Sequence, residues 1–240
     1  MSSEHFTPDQ AVTSADWPEI APAEYWEDRY GSAGPIWSGR VNRVLADVCA
    51  ALTPGRALDL GCGEGADAIW LAQHGWTVTG IDIAPAAIAR ATEAARAAGL
   101  TDRQVTFVAA DLSTLADREQ YDLITASFLH APVELARTDI LRSAANHIVP
   151  GGYLLVTSHA SLPSSAAQPQ QHQTAAGHTG ETDHAGHQTQ FLTPDEEVRE
   201  LALDPGEWTV RIAELRPRDA TDAQGNTHPI DDSVVLIQRA

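Results

Sequence analysis

An α/β fold, with a largely parallel sheet between two layers of helices, is what this 240-residue sequence predicts. Three observations carry it. Short apolar runs bounded by glycine or turn residues alternate with helical segments of roughly ten to sixteen residues, the pattern of βαβ units. Most runs are apolar throughout, as when both faces of a strand are covered. The first of them ends in a glycine cluster that leads directly into a helix.

Each element has its own local reason. Residues 1–22 mix Ser, Thr, Asp and Pro without apolar periodicity and read as a flexible arm. Tyr25, Trp26, Tyr30, Ile36 and Trp37 cluster next, and Gly39–Leu52 carries Val41, Val44, Leu45 and Val48 at helical spacing. Arg56–Leu60 reads as a buried strand. Ala66–His74 reads as a helix stopped by Gly75. Trp76–Ile81 is the next strand, followed by an alanine-rich helix that Pro85 opens and Gly99 closes. Val105–Ala109 and Tyr121–Ser127 are strands, Val133–Ile148 a helix, and Pro150-Gly151-Gly152 a turn into the strand Tyr153–Ser158. Residues 160–190, rich in Gln, Ser, Thr and His, interrupt the pattern as an insert. Thr193-Pro194-Asp195-Glu196 then starts a helix with an N-cap, a proline and an acidic turn, ending near Leu203. Trp208–Leu215 and Ser233–Gln238 close the chain as an antiparallel pair joined by a wide loop. The expected architecture is a Rossmann-like three-layer sandwich with a seven-strand mixed sheet, its last strand pair antiparallel. Right-handed crossovers put the C-terminal ends of the parallel strands on one edge, where such sheets bind ligands.

Composition narrows the partners. Acidic residues number 33 against 15 basic ones, all arginine, for a net charge of −18. Such a surface repels a phosphate backbone, so no nucleic acid is expected as partner. No apolar run reaches the roughly 18 residues of a membrane helix, and residues 1–10 lack a signal-peptide pattern, so the expectation is a soluble, cytoplasmic chain with no membrane partner. Two cysteines, Cys49 and Cys62, make no disulfide framework.

The strongest chemical signal is Asp59-Leu60-Gly61-Cys62-Gly63-Glu64-Gly65, between a strand and a helix. Glycine lets backbone approach a ligand closely, and the helix N-terminus offers free N–H groups and partial positive charge. Gly61-x-Gly63-x-x-Ala66 also fits the weak dinucleotide pattern G-x-G-x-x-G/A, with Asp82 where a ribose-binding acid belongs. Asp59 weighs against that reading, because a carboxylate beside a pyrophosphate is repulsive. It suits S-adenosylmethionine, which carries an ammonium group, a sulfonium and a carboxylate for the loop N–H groups. Asp82, followed by Ile83, can accept two hydrogen bonds from a ribose diol. Asp111 can accept from an adenine amino group, with the Leu112 N–H beside it. Phe128 follows the fourth strand. Three aspartates and an aromatic residue thus stand at four successive strand ends, a coincidence that turn chemistry explains poorly.

Residues 56–159 resemble the class I S-adenosylmethionine-dependent methyltransferases. ALDLGCGEG, GIDIA, AADL and VPGGYLLVTSH are similar to their successive motifs. YWEDRYG with PIWSGRVN, and the C-terminal FLTPDEEVRELALDPGEWTVRIAELRPR with DDSVVLIQRA, resemble the tellurite-resistance and thiopurine branch. The resemblance implies a single methyltransferase domain over 23–240, carrying the 160–190 insert. It also implies that the N-terminal segment folds over the cofactor, making Arg29, Trp37, Ser38 and Arg40 candidate contacts. Packing of Trp26, Tyr30 and Trp37 onto the sheet explains the aromatic cluster equally well.

Transfer of the sulfonium methyl is an in-line displacement, in which positioning supplies much of the rate. The resemblance implies a small-molecule acceptor that is a soft nucleophile: a thiol, chalcogen or metalloid oxyanion. A small-molecule O- or N-methyltransferase and a non-catalytic cofactor-binding or metal-responsive module are the alternatives. His130 and His159, after the fourth and fifth strands, are the candidates for a base or an acceptor contact. Asp139, Arg137 and His147 fall on the helix behind and read as structural or solvated. Cys62 reads as a small loop residue rather than a nucleophile. Five of the ten histidines lie between His159 and His187, and His184-x-x-His187 has a chelating spacing. A flexible polar loop explains that composition better, so no metal ligand is assigned.

Overall fold

The computed structural model describes residues 21–32, 34–114, 119–131, 135–160, 191–221 and 227–240. The expected arm and nearly all of the His-rich insert lie outside these residues.

Seven strands form one sheet in the order β3-β2-β1-β4-β5-β7-β6. They are β1 (Arg56–Leu60), β2 (Thr77–Asp82), β3 (Val105–Ala109), β4 (Tyr121–Ser127), β5 (Ile148–His159), β6 (Trp208–Thr221) and β7 (Thr227–Arg239). The first five pair in parallel. β7 is antiparallel to both β5 and β6. The order reverses between β1 and β4, which places a crevice beyond their C-terminal ends. The helices are α1 (Pro22–Gly31), α2 (Arg43–Cys49), α3 (Ala66–Gln73), α4 (Pro85–Ala97), α5 (Arg137–Ala145) and α6 (Pro194–Leu201).

Strand alternation divides the core into two apolar layers. Leu154 and Val156 of β5 pack with Ile140, Leu141 and Leu201 from α5 and α6. Leu155 packs on the other face with Leu45, Leu71 and Ala95 from α2, α3 and α4. The mixed three-layer sandwich is therefore as the sequence predicts. Thr193 caps α6 as expected: its hydroxyl accepts from Glu196 N (3.3 Å) while Glu196 Oε2 accepts from Thr193 N (2.9 Å).

Five expectations need correction. α1 is absent from the sequence reading, since its aromatic residues lack clear helical periodicity; Pro22 starts it. α2 is shorter than Gly39–Leu52, because Asn42 caps it by accepting from Val44 N (2.8 Å). The helix placed over Val133–Ile148 spans Arg137–Ala145, and Ile148 already belongs to β5. The supposed turn at Pro150–Gly152 is an irregularity inside β5: the register with β4 steps from Tyr121↔Ile148 to Leu123↔Tyr153. β6 and β7 continue past the expected ends to the pair Thr221↔Thr227, so their connection is short rather than wide.

Candidate functional site

Bare backbone forms the centre of the sheet edge. Gly61 and Gly65 hold φ of +68° and +84°, which costs any other residue strain. A Cβ at Gly61 would stand 2.7 Å from Leu129 Cδ1, and one at Gly65 2.8 Å from Ala91 Cβ. The loop thus lies tightly between the end of β4 and α4, with the N-terminus of α3 beyond it.

Asp82 ends β2 against this loop. Its Oδ2 accepts from Gly63 N (2.9 Å) and its Oδ1 from Ala84 N (3.0 Å). With the Ile83 backbone as a third donor, one carboxylate lone pair is left for a ligand hydroxyl. Burial pushes this carboxyl up, and bonds from the Ala84, Gly63 and Ile83 backbone pull it back. Asp111 lies just past β3, exposed, with Oδ1 taken by Ser113 N (2.8 Å), while Leu112 is buried beside it.

Asp59 lies deeper than the other two. It is 2% exposed and accepts from Thr125 Oγ1 (2.8 Å). Burial, then Asp67, hold its carboxyl well above the usual carboxylate range. Asp67 is raised as well by burial, although Asn42 N donates to it (2.7 Å). The two carboxyls form a buried acidic pair beneath the loop, which favours a proton or a ligand cation there. The Cys62 thiol is pushed up by burial and then by Asp59 and Asp82, which removes nucleophilic character.

The N-terminal segment is fastened over the loop by residues that sequence reasoning missed. Glu64 accepts from Ile36 N (3.2 Å) and Trp37 N (3.1 Å) and pairs with Arg90 Nη1 (2.8 Å). Arg90 also donates to Gly34 O (3.0 Å) and Tyr30 O (2.5 Å). Trp37 Nε1 donates to the Tyr30 hydroxyl (2.9 Å), and a Cβ on Gly63 would meet that hydroxyl at 3.0 Å. Trp37 is nonetheless 49% exposed. Ser38 and Arg40 are exposed, with Ser38 Oγ accepting from Arg40 N (3.3 Å), and the Arg29 guanidinium lies 5.8 Å from the Trp26 ring centre. A charged residue inside the glycine loop and a single arginine amid the alanines that begin α4 were the available signals for the clamp.

A second group forms beyond β4 and β5. Phe128 has φ of +52°, a strained value for a bulky residue. Its ring stacks on His159 with centroids 4.4 Å apart. His130 and Phe191 rings lie 6.3 and 6.2 Å from His159. His130 is driven down to about 3 by burial, then by Arg137 and His159, so it stays neutral. Its Nε2 is buried without a hydrogen-bond partner among the described residues. Arg137, expected to be structural, joins α5 to Glu197 of α6 (2.8 Å) and to Ser158 Oγ (2.8 Å). Asp232 of β7, 1% exposed, accepts from Arg218 Nε (2.7 Å) and stands 3.6 Å from His159 Nδ1. His147 is off the helix and Asp139 pairs with Arg142 on the surface. No cluster of metal-ligating side chains occurs among the described residues.

Known proteins resemble this chain in part of its sequence and in its fold. Residues 57–152 match the family model described as a methyltransferase domain. The 2-heptyl-1-hydroxyquinolin-4(1H)-one methyltransferase of Mycobacteroides abscessus is 40% identical over 131 residues, 49% of this chain and 56% of the relative. Ribosomal RNA small subunit methyltransferase C of Alcanivorax borkumensis is 32% identical over 114 residues, 46% of this chain and 34% of the relative. The chain spans 34–65% of the length of these and the next curated relatives. Two solved structures share the fold. One comes from work on conversion of a disulfide bond into a thioacetal group in echinomycin biosynthesis (TM-score 0.66, 22% identity, 90% of this chain and 92% of that one). The other is TehB from Haemophilus influenzae (TM-score 0.60, 19% identity, 89% and 67%).

Residues 57–152 are thus similar to a methyltransferase domain, within a fold shared with these two solved structures. S-adenosylmethionine is the cofactor that this similarity implies. The donor set fits that group: N–H groups at the start of α3 for a carboxylate, the Asp59–Asp67 acidic pair for cationic charge, and a lone pair on Asp82 for the ribose. No helix among the described residues is long and apolar enough to cross a membrane.

Proposed function

We propose that the protein methylates a hydroxyl group of a small, largely planar molecule, with His159 as the base. The observation that carries this reading is the acceptor side of the strand edge. Phe128, His130, His159 and Phe191 form one cluster of rings at this edge, while Arg137 and Arg218 are each matched by a buried carboxylate. S-adenosylmethionine, when bound, supplies an activated methyl group. Residues of the glycine loop with Asp82 and Ile83 would hold its amino-acid and ribose parts; Asp111 and Leu112 would hold its adenine. Arg29, Trp37, Ser38 and Arg40 would cover it, held there by the Glu64–Arg90 clamp.

A soft oxyanion, as the tellurite-resistance and thiopurine resemblance implies, needs an uncompensated cation. Among the described residues this acceptor site offers none, because its two arginines are spent on Glu197 and Asp232. A neutral hydroxyl instead needs a base, and a histidine at the strand edge can take its proton. The similarity to a relative named for a hydroxyquinolinone supports a planar, hydroxyl-bearing acceptor. The net charge of −18 favours such a molecule over a nucleic acid, and a cytoplasmic location belongs to the same reading.

Formation of S-adenosylhomocysteine with 2-heptyl-1-hydroxyquinolin-4(1H)-one, simple phenols, benzenethiol and tellurite as probes tests the proposal. Turnover of the hydroxyl probes, lost in His159→Asn with S-adenosylhomocysteine affinity retained, is expected. Turnover of the thiol or tellurite alone would restore the soft-nucleophile reading. Cofactor binding without turnover of any of these would favour a non-catalytic module.

A further inference from the structure

Resting on the reading of His159 as base, we infer that Asp232 is a positioning residue that holds the His159 proton on Nδ1 and leaves Nε2 free toward the acceptor. A neutral imidazole has one N–H, and two groups face Nδ1. Arg218 Nη2, 3.4 Å away, is within hydrogen-bond distance, and Asp232 Oδ1, 3.6 Å away, is just beyond it. Both cannot be satisfied. If Nδ1 accepts from Arg218, the proton sits on Nε2 and the ring has no lone pair for a hydroxyl proton. If Nδ1 carries the proton, it donates to Asp232 once the two close by a few tenths of an ångström.

Burial decides between them. Asp232 is 1% exposed, and its Oδ1 is buried without a hydrogen-bond partner among the described residues. A buried carboxylate oxygen left unpaired is costly, and facing a nitrogen lone pair makes it worse. The Arg218 side chain is 36% exposed, keeps its bond to Asp232 Oδ2 through Nε, and can give Nη2 to water. Satisfying Oδ1 therefore outweighs satisfying Nη2. The backbone supports the pairing: His159 and Asp232 are direct partners in the β5–β7 register, so their side chains leave the same face of the sheet. Stacking on Phe128, whose strained turn places its ring there, fixes the imidazole plane. The neutral His130 ring lies 6.3 Å away. In the reaction the acceptor O–H gives its proton to Nε2, the oxygen forms the new bond to the methyl carbon, and the electron pair of the broken carbon–sulfur bond stays on sulfur.

The test is long-range 1H–15N correlation of the imidazoles in the full chain, with His159 assigned from His159→Asn. The Nδ1–H tautomer is expected at His159 at a pH where the ring is neutral. In Asp232→Asn, Arg218 Nε holds the carboxamide oxygen and turns its NH2 toward Nδ1, so the Nε2–H tautomer is expected. Turnover of the best hydroxyl probe should fall at least 100-fold in that variant, while calorimetric affinity for S-adenosylhomocysteine stays within about 2-fold. An Nε2–H tautomer in the wild type overturns the inference, as does Nδ1–H persisting in Asp232→Asn. If that variant does not fold, the wild-type spectrum decides alone. Unreduced turnover in His159→Asn would instead overturn the base reading and leave the tautomer assignment standing.

Discussion

Replacing Gly65 by alanine isolates what the cofactor loop demands of its backbone. Two costs combine there. The φ of +84° places a side-chain-bearing residue in the left-handed region, which costs about 1–2 kcal/mol. The new Cβ would stand 2.8 Å from Ala91 Cβ and 2.9 Å from the Phe107 ring, overpacking worth about 1–3 kcal/mol. Together Gly65→Ala should lose about 2–5 kcal/mol. Two other glycines separate the contributions. Gly99 has φ of +76° with nothing within 4 Å of its Cβ position, so Gly99→Ala should lose about 1–2 kcal/mol through strain alone. Gly80 has no positive φ, but its Cβ would lie 2.8 Å from Phe107 and 3.0 Å from Cys62 Sγ, so Gly80→Ala should lose about 1–3 kcal/mol through crowding alone. Urea unfolding followed by tryptophan fluorescence reads all three, and for slopes of about 2–3 kcal/mol per molar the Gly65→Ala midpoint should drop by about 1–2 M. Gly99→Ala proving as damaging as Gly65→Ala would refute the reasoning, because the crowding seen at the loop would then contribute nothing.

Other consequences concern the carboxylates. Asp82→Ala should weaken S-adenosylhomocysteine binding by about 10–100-fold in calorimetry, through lost charged hydrogen bonds and a loosened Gly63 N–H; unchanged affinity would remove Asp82 from the ribose site. Asp59 has a carboxyl raised in the folded state by burial and then by Asp67, so its contribution to stability is complete below the ordinary carboxylate pKa of about 4 and is lost as pH rises above it. Asp59→Asn should therefore stabilise the cofactor-free protein more at pH 8 than at pH 4, and an equal gain at both would contradict the raised carboxyl. Glu197→Ala leaves Arg137 buried without its partner and should cost about 3–5 kcal/mol in urea unfolding, whereas Arg137→Met with Glu197→Leu should recover most of that loss. A loss no larger in Glu197→Ala than in the double variant would show the pair to be solvated.

Glycines at a strand-to-helix turn, acids at strand ends and the Pro85–Gly99 bracketing of α4 were legible in the sequence. Each depends on residues adjacent along the chain, where local backbone geometry sets the outcome. Histidines 130 and 159 were legible as candidates because they follow strands on the ligand-binding edge. Their environment was not. Arg218 and His159 are 59 residues apart, and Arg137 and Glu197 are 60 apart. Arg218 and His159 meet because β7 inserts antiparallel between β5 and β6 and a single register pairs His159 with Asp232, whereas Arg137 and Glu197 meet because α6 packs beside α5. That register follows from burying Val234 and Leu236 on one face of the sheet and Val235 and Ile237 on the other. The Glu64–Arg90 clamp over the loop has the same origin, since it joins segments that only helix packing brings together. The sequence by itself therefore determined the fold class and the glycine-loop edge of the sheet. Tertiary packing decided which buried charges are paired, which histidine stays neutral and which one faces a carboxylate, because burial and long-range register set the cost of each unpaired group.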